Sequence, residues 1–453
     1  MSAATKPTST ISRAFMISGD VAALLFRLTL PMVGGVAAAI GYSVLETWFV
    51  AHLGPDGLSA AIFTFPVTMV IISLAIGLGA GTSAVVARAL GGGEDAGALV
   101  LGAMVLTVVL GLATAALMEI ILAPLFRLMG APGPLVSLIL SYMRLWFPAA
   151  VLFMTAMVRL SAGRAAGDVR FQGLSMIVSA LFNAALVAPL ILGVGAWPGL
   201  GLPGAPLANA CAWGALLAAT LWRLRHLGLL RAGWPGWARF RASAARVLHV
   251  GLPAAGTNTI IPVSAAIVTA ILAAYGAQAV AGFGVAGRVE GLSMVMAYAL
   301  SAIMNPFAGQ NAGAGRLDRV RSGLRVSFIF CLALGGALAL ALYGAGCWIA
   351  ARFTEDPAVA AAVIAYLRLV PISYGGAGII AVVNATFNGL NRPGAAMIIS
   401  ATRTLGVNVP VAWLGGQFFG ANCVFLGVCV SNLAVGLVAA IWVWRATRPE
   451  SIT

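Results

Sequence analysis

Apolar residues in this chain come in long unbroken runs separated by short polar breaks. A helix rises 1.5 Å per residue, so about 20 apolar residues cover the hydrocarbon of a bilayer. Twelve such runs can be drawn, at 27–51, 60–84, 98–122, 136–160, 172–193, 204–222, 248–273, 279–305, 326–350, 361–386, 395–416 and 421–444. The breaks between them carry helix-stopping residues, among them Gly54-Pro55, Gly91-Gly92-Gly93, Asp356-Pro357 and Arg392-Pro393-Gly394. The alternating pattern of a membrane barrel is absent.

Composition agrees with the pattern. The 453 residues are 61% hydrophobic and 8% charged, with a mean hydropathy of +1.02. No soluble fold of this size hides that much apolar surface, so the chain reads as an integral membrane protein. Its 55 glycines suit closely packed helices, because small residues let backbones approach. The net charge of +14 would suggest nucleic acid in a soluble protein. Here the arginines crowd one set of connections: Arg88, Arg164, Arg170, the 223–246 segment, Arg316 to Arg325, Arg392 and Arg403. Lys6, Arg13, Arg445 and Arg448 in the tails belong to the same side, while the opposite connections offer little beyond Arg127 and Arg352. The positive-inside rule then places both termini in the cytoplasm, as an even number of spans requires. The polar start of the chain has no cleavable signal pattern, and the first span is expected to serve for insertion. The five cysteines sit in apolar runs without a CxxC pair, which suits packing better than disulfides or zinc.

The chain repeats itself. An offset of 222 lays Leu30-Pro31 on Leu252-Pro253, Gly34 on Gly256, Thr47 on Thr269, Gly54 on Gly276 and Gly91 on Gly313. With slight slippage, Tyr142 and Arg144 align with Tyr366 and Arg368. Six spans per half give two lobes of the same orientation, related by an axis along the membrane normal. The expected division is a tail 1–26, a first lobe 27–222, a basic linker 223–246, a second lobe 247–444 and a tail 445–453. Pro31 and Pro253 are candidate hinges, since each removes a helical hydrogen bond and lets its helix bend.

Against this background Glu46 stands out. An ionised carboxylate inside a span costs at least about 2.5–3.5 kcal/mol, so it is kept where it meets a partner, a watery cavity or a proton. The alternative is a side chain that merely reaches the interface beside His52 and Asp56. At offset 222 its counterpart is Val268, so the acid belongs to one half only. Asn183 and Asn209 are candidate partners in the same lobe, with interhelical hydrogen bonding as the plainer role. Arg288 and Glu290 form a second candidate site in the other lobe, or a mutual or interhelical ion pair that holds it together. Met294, Met296, Met304, Phe283 and Tyr298 offer an adaptable lining or ordinary packing. Enzyme chemistry finds no footing: Lys6 is the only lysine, so there is no phosphate loop, and HExxH and GxSxG are missing.

The chain resembles the multidrug and toxic compound extrusion (MATE) family along essentially its whole length. The pieces that carry the resemblance are Leu30-Pro31 with LETWFVAHLG, where the family has VDTxFVGxLG, and ARALGGGEDAGA near Arg88. The second half adds VGLP (Val250–Pro253), GVAGRVE (Gly284–Glu290) and PFAGQNAGAGRLDR (Pro306–Arg319). The resemblance implies twelve helices in two six-helix lobes around a central cavity, and export of organic cations in exchange for protons or sodium. It puts Glu46 in the place of a first-helix aspartate and Asn183 in that of a fifth-helix asparagine. The acid often found four residues after that asparagine is Val187 here, Asn209 stands for a common threonine, and Ala254–Ile260 lacks an acid some members have.

The expectation is therefore an all-α polytopic membrane protein acting as a secondary exporter of small cationic or amphipathic compounds in a bacterial cytoplasmic membrane. No cofactor, nucleic acid or ATP is expected; the chain should act as a monomer in the bilayer, with proton coupling favoured over sodium. A flippase of lipid-linked saccharides is the alternative. The orientation is directly testable: cysteines introduced at Trp234 and Gly236 should escape an impermeant thiol reagent in intact cells, and labelling there would reverse the assignment.

Overall fold

The computed structural model describes residues 15–230, 234 and 236–448. Lys6 and Arg13 of the expected first tail, residues 231–233 and 235 of the expected linker, and 449–453 of the last tail lie outside the described residues. Among the described residues there are helices and turns and no strand, only an isolated bridge between Val194 and Trp197. In the first half α1 (Val21–Ala51), α2 (Pro55–Gly91), α3 (Gly97–Leu128), α4 (Gly133–Ala165), α5 (Val169–Leu192) and α6 (Gly204–His226) follow in order. In the second come α7 (Trp237–Ala273), α8 (Ala277–Ser293), α9 (Val295–Gly313), α10 (Leu317–Phe353), α11 (Pro357–Leu369), α12 (Tyr374–Gly389), α13 (Pro393–Ala401), α14 (Val409–Phe419) and α15 (Ala421–Ala446).

Eleven of these stretches are long and apolar enough to cross a membrane, and a bent pair makes twelve. Leu128, Ile120 and Leu340 stand 87%, 76% and 79% exposed, a surface that only lipid suits.

The second half is more broken than its apolar runs suggest. The eighth span bends by 51° between α8 and α9, where Gly291 precedes Ser293 and the Ser293 hydroxyl donates back to the Val289 carbonyl. A 3-10 turn at Val370–Ser373, carrying Pro371, separates α11 from α12. A π-helical segment, Thr402–Asn408, separates α13 from α14, ahead of Pro410. The 223–246 linker is shorter than expected, since α6 runs to His226 and α7 begins at Trp237.

The chain divides into two compact units, Leu30–Ala255 and Gly256 onward, but the second also takes Ile17–Thr29. The boundaries thus fall inside α1 and α7, next to Pro31 and Pro253, and not in the linker. Backbone packing explains this. On α2, a Cβ at Gly77 would lie 2.5 Å from the Ala255 nitrogen and the Gly251 oxygen, and one at Gly81 would lie 2.5 Å from the Val247 oxygen. This small-xxx-small crossing ties the start of α7 into the first unit. The chain before α1 is held in the second unit: Arg316 Nη1 donates to the Ile17 carbonyl, and Arg319 Nη1 and Nη2 to those of Gly19 and Ser18.

Gly81→Ala should therefore lower thermal stability by about 1–3 kcal/mol through overpacking, read as a loss of melting temperature in detergent. Gly336→Ala, where a Cβ meets nothing within 4 Å, should leave it unchanged.

Candidate functional site

In the first unit α5 lies against α1 at its proline: a Cβ on Gly173 would come 2.2 Å from the Pro31 oxygen. A short loop then folds α6 back beside α5, with Leu200 N bonded to Leu190 O at 2.9 Å and Gly201 N to Ile191 O at 3.1 Å. These contacts bring the three residues expected on α1, α5 and α6 together.

Asn209 is the hub. Its Nδ2 donates to Glu46 Oε1 at 2.9 Å, and its Oδ1 accepts from Asn183 Nδ2 at 2.6 Å and from the Tyr42 hydroxyl at 3.2 Å. Asn183 and Asn209 are buried, at 2% and 3% exposure, whereas Glu46 is half-buried. Glu46 has thus turned inward and does not reach for the interface. Tyr142 of α4 is within electrostatic reach of its carboxylate. The Oδ1 of Asn183 is buried and has no hydrogen-bond partner, so the chain of amides ends on an open acceptor. Val187 is fully buried in the core, and no polar group replaces the acid at that place.

Tyr42 was invisible as a lone tyrosine in an apolar run. Its one signal is spacing, since residues four apart share a helix face and Tyr42 stands one turn before Glu46.

In the second unit the structure separates the expected pair. Arg288 is exposed and meets no carboxylate among the described residues, while Glu290 Oε2 accepts from the Tyr366 hydroxyl. Residues two apart on a helix do not face each other, which rules out the simple Arg288–Glu290 ion pair. Arg403, in the π-helical segment, is within electrostatic reach of Glu290. Arg403 Nη1 donates to Asn432 Oδ1 at 3.3 Å, and Asn432 Nδ2 to Ser373 Oγ at 3.1 Å. The two lobes therefore hold different polar clusters, one with an acid and amides, the other with an acid and an arginine. Among the described residues no group of three or more acids, histidines and cysteines is placed to hold a metal.

The family model described as MatE matches residues 31–188 and 253–414, the two halves of the repeat. A Shewanella oneidensis protein named FAD transporter is 33% identical over 97% of this chain and 98% of its own length. A probable multidrug resistance protein of Bacillus subtilis, YoeA, is 26% identical over 90% of this chain and 88% of its own length. Among solved structures, the Vibrio cholerae MATE transporter VcmN matches at a TM-score of 0.90 and 29% identity, over 96% of this chain and 99% of that one.

If Asn209 joins the cluster, Asn209→Leu should strand the Glu46 carboxylate and the Asn183 amide, at a cost of about 1–3 kcal/mol for each buried group left unpaired. A fall in melting temperature larger than that of Asn384→Leu, which loses only the bond to Ser400 Oγ, is the expected reading.

Proposed function

The chain belongs to the MATE family of membrane transporters, and we propose that it is a secondary exporter in which Glu46 is the coupling group and the proton the coupling ion. The observation that carries this reading is the hydrogen-bonded line Glu46–Asn209–Asn183. It is a multi-pass membrane protein and not an enzyme.

The line has a direction. An ionised Glu46 accepts from Asn209 Nδ2, and Asn209 Oδ1 accepts from Asn183. A protonated Glu46 carries a donor of its own. Its hydroxyl would then turn Asn209 so that Oδ1 accepts from Glu46 and Nδ2 points to Asn183, whose unpartnered Oδ1 can receive it once that amide rotates. One proton on α1 thereby reverses the polarity of the contacts to α5 and α6. Two arrangements of one network, each favoured by one protonation state, are what coupling needs. Protons entering from outside would favour the protonated arrangement and release cargo; cargo arriving from the cytoplasm would favour the ionised one and release the proton. Sodium would need several hard oxygens in place of its water. The two oxygens of Glu46 and Asn183 Oδ1 are side-chain oxygens available toward such a shell, which keeps sodium as the competing ion to test.

For the cargo, the acid at the site favours small organic cations, in keeping with the multidrug relatives. The relative named FAD transporter supports a second reading, a flavin dinucleotide, since it is 33% identical along nearly the whole chain.

In proteoliposomes, an inward proton gradient without sodium should drive counter-movement of a cationic dye, and Glu46→Gln should abolish it while leaving folding intact. Strict dependence on a sodium gradient would overturn proton coupling. Movement of flavin dinucleotide, with none of the dye, would assign the second cargo.

A further inference from the structure

Away from the coupling cluster, the arginine-rich ends of α4, α5 and α6 border a shallow cleft that opens to solvent. Arg159, Asp168, Phe171, Gln172, Thr220 and Arg223 line it. Its charges do not balance. Asp168, the acid that lines it, is taken up by Arg223 through bonds of 2.6 and 3.1 Å. Arg159 spends one donor on the Leu217 carbonyl at 3.0 Å, and its Nε is buried with no partner. Arg164, one turn further along and bonded to Gln172 Oε1 at 3.4 Å, also has a buried Nε without a partner. Arg225 adds a third positive charge within electrostatic reach of Arg159. Among the described residues neither Arg159 nor Arg164 meets a carboxylate.

Two further observations point to what would balance them. Asp168 stands at the N-cap of α5 and lines the cleft, yet its side chain makes no capping bond to the first amides of α5. Such amides favour an anion with several acceptor oxygens, as do guanidinium groups. On the face of α5 that begins at Phe171, Leu174, Val178 and Leu181 follow at helical spacing and stand 62%, 57% and 65% exposed. That stripe runs away from the cleft and suits an acyl chain.

We propose that this cleft binds a phosphate-bearing anion, and that the anion is the headgroup of an anionic membrane lipid whose chain lies on the Leu174–Val178–Leu181 stripe. The lipid would fasten the ends of α4, α5 and α6, the last two of which carry Asn183 and Asn209 deeper in the lobe. Basic pockets between membrane helices take anionic headgroups on the same physical grounds.

The test uses the purified full chain in detergent, with phosphatidylglycerol, phosphatidylcholine and inorganic phosphate as probes, read by native mass spectrometry and melting temperature. Phosphatidylglycerol should be retained at one tight position and raise the melting temperature, and phosphatidylcholine should do neither. Arg159→Gln should weaken that retention about tenfold, the equivalent of one charge-assisted hydrogen bond, and Arg159→Lys should largely keep it. Stabilisation by inorganic phosphate alone, with no preference between the two lipids, would assign the site to free phosphate and overturn the lipid. Undiminished retention in a folded Arg159→Gln protein would overturn the site itself. Should that variant fail to fold, a wild-type chain indifferent to all three probes decides against the proposal.

Discussion

A single amide, that of Asn209, serves three side chains at once in a place that offers little water to replace them. It donates to Glu46 and accepts from Asn183 and Tyr42, so α1, α5 and α6 share one hydrogen-bonded joint. Removing any partner leaves another buried polar group unmatched, which is far costlier than the net value of the bond itself. The rest of the first unit is arranged so that the joint can exist. Gly173 lets α5 touch α1 at Pro31, and the loop after Gly193 returns α6 to the side of α5.

The two halves share a plan and differ in chemistry. Tyr142 and Tyr366, aligned in the repeat, each lie beside the acid of their own half, Glu46 and Glu290. Yet those acids sit on helices that do not correspond, α1 and α8. In the second unit the acid accepts from Tyr366 and lies within electrostatic reach of Arg403. Glu46 has neutral partners only, apart from the proton or cargo it meets. A carboxyl with neutral donors can change its charge state without leaving a cation unmatched, which supports the proposal that coupling is placed in the first unit.

Much of this was legible from residues alone. Twelve apolar runs and the offset of 222 gave the spans and the two halves, because lipid demands length and apolarity of each helix on its own. Glu46 was visible as a lone acid in such a run, and Asn183 and Asn209 as amides in the same lobe. Other features depend on which backbones touch. The exchange of segments between units follows from Gly77 and Gly81 meeting Gly251 and Ala255, and one glycine looks like another among 55. A mutual Arg288–Glu290 pair does not form, because closeness in sequence is not a shared face. Arg403 and Tyr366 come to Glu290 from other helices, which no local pattern encodes, and Arg159 was hidden inside a predicted span.

The central claim is that cargo and proton compete through Glu46. It is tested most directly by counting protons when cargo binds to the purified protein, using calorimetry in buffers of different ionisation enthalpy. The wild-type chain should release a proton as cargo binds, at a pH where Glu46 is still protonated, and Glu46→Gln should bind without release. Equal release from both proteins, or none from the wild type while sodium is displaced, would contradict the account.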